Sequence, residues 1–108
     1  MIKLTELLSN GVKVYLDDER PVPNGWILVK TAQEAIDYLI NNEVEVISLD
    51  HDLGDENIVG TGYDVVKWIE EQVYTTDYKA PEIRIHTANS SARVKMELGV
   101  KSILRKTH

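Results

Sequence analysis

The chain of 108 residues contains no cysteine, which excludes a disulfide framework, a thiolate metal site and a cysteine nucleophile. It also lacks any apolar run approaching the roughly 20 residues of a membrane span. Met1–Gly11 has neither the basic start nor the long apolar centre of a signal peptide, so a cytoplasmic protein with no membrane partner is expected. Positive charge is in short supply: 12 Lys and Arg stand against 18 Asp and Glu, a formal net charge of −6. That balance disfavours non-specific binding to nucleic acid, and double-stranded DNA is not an expected partner. Repeats, low-complexity tracts and linkers are absent as well, and the length suits one domain over residues 1–108.

The charge that is present is unevenly spread. Residues 79–108 hold seven Lys and Arg against Glu82 and Glu97, which leaves residues 1–78 strongly acidic. An acidic site facing a basic flank suits a bound cation with an anionic ligand over it, although most of these charges simply solvate helix faces.

Hydrophobic periods alternate along the chain. Val12–Leu16, Trp26–Val29, Val44–Leu49 and Pro81–Ile85 are rich in β-branched and aromatic residues and predict strands. Thr31, with Glu34 three residues on, predicts a capped helix through Asn41, with Ala35, Ile36, Leu39 and Ile40 on its apolar face. Leu53–Gly60 reads as a loop, and Gly62–Tyr74 as a second helix with Val65, Val66, Ile69 and Val73 inward. Gly60-Thr61-Gly62 lacks a Walker lysine and is expected to open that helix rather than hold a phosphate. Asn89 or Ser90 caps a third helix ending before Gly99, and Val100–Leu104 is expected as a short fifth strand. Trp26 and Trp68 are read as packing residues.

Strands alternating with helices predict a mostly parallel α/β sandwich. The first connection is unusual, since Asp18–Gly25 is too short for the customary crossover helix. The first two strands therefore either form a hairpin or join through a stretched loop. Ile2–Ser9 is expected to form a helix over the sheet face left bare.

Three polar clusters follow three of the apolar runs: Asp17-Asp18-Glu19-Arg20, Asp50-His51-Asp52 and His86-Thr87-Ala88-Asn89. If the runs are parallel strands, the clusters converge on the carboxyl edge, where open α/β sheets keep their ligand sites. Asp17, Asp18, Asp50 and Asp52 would repel one another there and raise each other's pKa without a cation. Hard oxygen ligands in this number suit Mg²⁺, Mn²⁺ or Ca²⁺, and the histidines leave room for a transition metal. Histidine is the residue type suited to general acid or base work near neutral pH, so His51 and His86 are candidates for it. Arg20 and Arg93 suit a bidentate grip on phosphate. Asn89 has a competing explanation as the helix N-cap.

Asp17-Asp18-Glu19, Asp50, Thr87-Ala88 and Lys106, in that order, resemble a response-regulator receiver domain over most of the chain, from about Val12 to Lys106. The resemblance implies a flavodoxin-like open sheet of four to five strands with helices on both faces and the first crossover helix missing. It implies Asp17, Asp18 and Asp50 as metal ligands, Asp50 as a nucleophile, and Thr87 and Lys106 as phosphate contacts. Arg20, His51, Asp52, His86 and Asn89 are additions to the ordinary receiver set. Asp-Asp-x-Arg-x-Pro, Asp-His-Asp-Leu-Gly and His-Thr-x-Asn together resemble the cyclic-phosphate-processing receiver clade, proposed to act in RNA repair. That resemblance implies a metal-dependent phosphoesterase using Mg²⁺ or Mn²⁺ on a phosphate-bearing nucleotide or RNA end. Asp50, His51 and His86 are its expected catalytic residues, with Asp52 a fourth metal ligand and Asn89 a substrate contact. Two alternatives stay open: a phosphoacceptor receiver with a histidine kinase as partner, and a metal-binding interaction module without turnover.

Overall fold

Four parallel strands organise the computed structural model, which describes residues 11–107. They are β1 (Val12–Leu16), β2 (Ile27–Val29), β3 (Val44–Leu49) and β4 (Glu82–Ile85). Their spatial order is β2-β1-β3-β4, and every pairing is parallel. This is the open, parallel α/β sheet expected, with four strands among the described residues. The hairpin alternative for the first two strands is excluded by their parallel register, Val14 opposite Ile27 and Leu16 opposite Val29. The chain returns from one to the other through a stretched, helix-free connection that turns at Gly25, where φ is 87°.

The helices are α1 (Ala32–Asn41), α2 (Glu56–Val59), α3 (Gly62–Thr75) and α4 (Ser90–Thr107). Thr31 caps α1 as its spacing predicts, its hydroxyl accepting the Glu34 N–H at 3.1 Å. Thr61 caps α3 in a reciprocal box: its hydroxyl accepts the Asp64 N–H, and the Asp64 carboxylate accepts the Thr61 N–H. Part of the expected 53–60 loop is the short helix α2, capped by Asp55.

The largest correction concerns the last third of the chain. Val100–Leu104 is not a strand, and the helix does not end before Gly99; α4 runs unbroken for 18 residues. Gly99 keeps a negative φ, so it is no C-cap. A Cβ on it would lie 2.6 Å from Val66 Cγ1, so this glycine lets α4 pass close against α3. Ala92, Met96 and Ile103, spaced by four and seven residues, are the buried positions that hold the helix down.

Val14, Leu16, Val29, Ile47 and Leu49 point to one face of the sheet. There they form a single buried cluster with Ala35 and Leu39 of α1, Val65, Val66 and Ile69 of α3, and Met96 and Ile103 of α4. All three long helices therefore pack on that face. The other face carries a row in register, Tyr15, Ser48 and Arg84. The helix expected at residues 2–9 to cover it lies outside the described residues.

Candidate active site at the carboxyl edge

The ladder continues one step past the strand ends. The Asp17 N–H donates to Val29 O at 3.1 Å, the Asp50 N–H to Leu16 O at 3.0 Å, and the His86 N–H to Leu49 O at 3.0 Å. Asp17, Asp50 and His86 thus occupy one register level on adjacent strands, which brings residues distant in sequence side by side. One ligand atom from each lies within 4.8 Å of the others.

Asp17 is only 1 % exposed. Its Oδ1 accepts the backbone N–H groups of Glu19 at 2.8 Å and Arg20 at 3.0 Å, and its Oδ2 lies 3.0 Å from His86 Nε2. Burial pushes its pKa upward, but these donors outweigh burial and hold the carboxyl below its ordinary value. The elevation expected for the carboxylates is not met at Asp17: the N–H donors aimed at it favour its charged form more than burial opposes it. Asp52 is also lowered, first by the His51 ring N–H at 2.8 Å, against a smaller burial effect.

His86 is gripped on three sides. Its Nδ1 lies 2.7 Å from Ser48 Oγ, its Nε2 faces Asp17, and its ring stacks on Tyr15 with centroids 4.3 Å apart and planes 6° from parallel. Burial, partly opposed by Asp17, lowers its pKa and favours the neutral ring. An ionised carboxylate only accepts, so the neutral ring carries its proton on Nε2 and receives the Ser48 O–H at Nδ1. Both nitrogens are engaged, and the ring is held in one orientation at the sheet edge.

His51 is 5 % exposed; its Nδ1 is tied to Asp52 and its Nε2 is buried without a hydrogen-bond partner. The ring anchors Asp52, whose carboxylate also receives Asn89 Nδ2 at 3.4 Å. Asn89 performs the capping duty as well, its Oδ1 accepting the Ala92 N–H at 3.0 Å.

A cleft of ≈ 400 Å³ opens at this edge, lined by Asp17, Asp18, Glu19, Arg20, Asp50, Asp52, Gly54 and Ala88. The Arg20 side chain is half exposed there, its Nε 3.8 Å from Asp17 Oδ2. Asp18 and Asp52 line the cleft but stand outside the three-residue cluster. Thr87 is buried beside it, its Oγ1 accepting the Asn89 N–H at 3.1 Å.

Two residues expected at the site are directed elsewhere. Arg93 donates to the backbone carbonyls of Thr87 at 2.9 Å and Ile85 at 3.4 Å, and pairs with Glu97. It clamps the end of β4 instead of lining the cleft. Lys106 sits in the last turn of α4, and a helix rising about 1.5 Å per residue carries it roughly 24 Å from Ser90. The phosphate contact that the receiver resemblance implies for Lys106 is therefore expected from the far end of a helix and not from a strand end.

Ser48 and Tyr15 were not expected at the site. Their signal was the period of two: each precedes a strand-end residue by one and shares a face with the register level above it.

The donor set fits a divalent cation. Ligand atoms opposite one another around an ion with bonds of about 2.1 Å are about 4.2 Å apart, so 4.8 Å closes with a small side-chain movement.

Comparison with curated proteins and with solved structures gives no match. The family model described as the cyclic-phosphate processing receiver domain matches residues 12–102, and the chain belongs to that family.

Proposed function

We propose that this domain hydrolyses cyclic or terminal phosphates on a nucleotide or RNA end, with a divalent cation held by Asp17, Asp50 and His86. The observation that carries the reading is the convergence of those three ligands at one register level, at a cleft whose rim holds Arg20. Membership of the family supports the substrate class.

Charge in the cleft supports the same reading. Asp17, Asp18, Glu19, Asp50 and Asp52 surround Arg20, and an anionic phosphate entering alone would be repelled. Asp17, Asp50 and His86 would hold a divalent cation that would offset that charge and supply Lewis-acid activation of the phosphoryl group and of water. Arg20 has the exposure and the planar fork to grip a phosphate oxygen and orient it over the Asp17–Asp50 edge. The Thr87 hydroxyl accepts from the Asn89 N–H and keeps its own proton to donate. His51 acts through Asp52 by fixing the rim and does not touch substrate.

The test is incubation with Mn²⁺ or Zn²⁺ and 2′,3′-cyclic nucleotides, followed by phosphorus NMR. Ring opening is expected, and it is lost in Asp50→Asn and His86→Ala. No turnover of cyclic or terminal phosphates with Mg²⁺, Mn²⁺ or Zn²⁺ would overturn the proposal. A base-labile adduct formed from acetyl phosphate without turnover would replace it with phosphoacceptor chemistry at Asp50.

A further inference from the structure

We infer that Ser48 is a positioning residue that lets His86 exchange its ring proton from Nε2 to Nδ1, so that Nε2 becomes available to a cation. This rests on the metal site of the proposed function and adds to it a residue and a proton movement.

The geometry poses a problem that Ser48 answers. Without a cation, Nε2 bears the proton, because it faces the ionised Asp17 carboxylate at 3.0 Å. A metal needs the Nε2 lone pair, so the Nε2 proton must leave to solvent and another must arrive at Nδ1. The ring stays neutral and no net proton is gained or lost. A ring flip is a poor substitute, since the ring would turn edge-on against Tyr15 stacked 4.3 Å away, and would present carbon atoms to Ser48 and Asp17.

Nδ1 therefore has to accept a hydrogen bond in one state and donate one in the other, without moving. Its partner 2.7 Å away is a hydroxyl in a 6 % exposed residue. Among side chains of that size, a hydroxyl can both donate and accept by rotating about one bond. Alanine could do neither, and would leave the newly protonated Nδ1 buried without an acceptor. Ser48 interrupts the apolar end of β3, between Ile47 and Leu49. The requirement at Nδ1 accounts for a polar residue at that position.

The experiment reads the ring directly. Nitrogen-15 NMR of the labelled full chain is expected to show a protonated Nε2 and a bare Nδ1 without metal. The two signatures should exchange when Zn²⁺, chosen because it is diamagnetic, is added. Ser48→Ala should keep the metal-free pattern but weaken Zn²⁺ binding about 10- to 100-fold by calorimetry, the scale seen when a ligand histidine loses its hydrogen-bond partner. Ser48→Thr, which restores the hydroxyl, should recover most of that loss. The inference is overturned if Nδ1 stays unprotonated with Zn²⁺ bound, if His86 does not respond to Zn²⁺, or if Ser48→Ala binds Zn²⁺ like the parent. None of these measurements uses substrate. A chain that exchanges the proton and hydrolyses nothing would sink the phosphoesterase proposal and leave this one standing.

Discussion

Asp17 and Asp50 sit at the same level of the sheet edge but do different work. Asp17 is built into the fold, satisfying two N–H groups of the loop that follows it as well as His86. Asp50 has one such duty, its Oδ1 accepting the His51 N–H at 2.7 Å, and an asparagine oxygen can perform it. Asp50→Asn should therefore abolish turnover while leaving metal-free stability unchanged or raised by about 0.5–1 kcal/mol, since it removes like charge from the cleft. Urea denaturation in the presence of a chelator checks this; a loss above about 1 kcal/mol would give Asp50 a structural role instead. The two arginines should separate in the opposite sense. Arg20→Ala is expected to lower kcat/KM about 10- to 100-fold with stability intact, as for loss of one charge-assisted contact. Arg93→Ala is expected to cost about 1 kcal/mol of stability, because two strand-end carbonyls lose their donor. The sequence offers two arginines near phosphate-type motifs and nothing to distinguish them. The distinction arises because Arg93, on the first turn of α4, reaches the β4 terminus before it reaches the cleft.

At the scale of elements, the start of α3 couples packing to the site. A side chain on Gly62 would collide with the Asp50 carbonyl oxygen and crowd Met96 Cε, so this glycine lets α3 begin directly against the strand end that carries Asp50. Gly62→Ala should destabilise the fold by about 1–3 kcal/mol, the usual cost of overpacking. By displacing Asp50 it should also weaken metal binding, whereas Thr61→Ala should cost about 1 kcal/mol through the lost cap alone. Denaturation and calorimetry on the two variants separate these effects. Strands and caps were legible because their signals are local: Thr31 and Glu34 lie within one turn, and Val44, Val46, Ile47 and Leu49 crowd β-favouring side chains into the six residues of β3. The course of α4 was not, because Gly99 is a stop signal in sequence and a close-contact point in space. Only the position of Val66 on α3 reveals which meaning applies.

For the molecule as a whole, the cation site of the proposed function makes a testable demand on stability. A ligand at a hundredfold over its dissociation constant adds about 2.7 kcal/mol to a fold that binds it only when native. For a domain of this size that corresponds to a rise in Tm of roughly 10 °C. Mn²⁺ or Zn²⁺ should raise the melting temperature on that scale, a chelator should reverse it, and Asp50→Asn should be insensitive; an unresponsive parent protein would count against the metal site. The residue types at the strand ends, the alternation of strand and helix and the acidic balance are properties of the sequence by itself. They determined the fold class and the edge at which a site belongs, because side-chain chemistry and short-range periodicity are written locally. Tertiary structure alone decided that Asp17, Asp50 and His86 share one level, that Ser48 and Tyr15 grip His86, and that Arg93 clamps the end of β4. Strand order and register are set by pairing between segments far apart in the chain, and a shift of one residue would have turned Tyr15, Ser48 and the acidic strand ends to the opposite face.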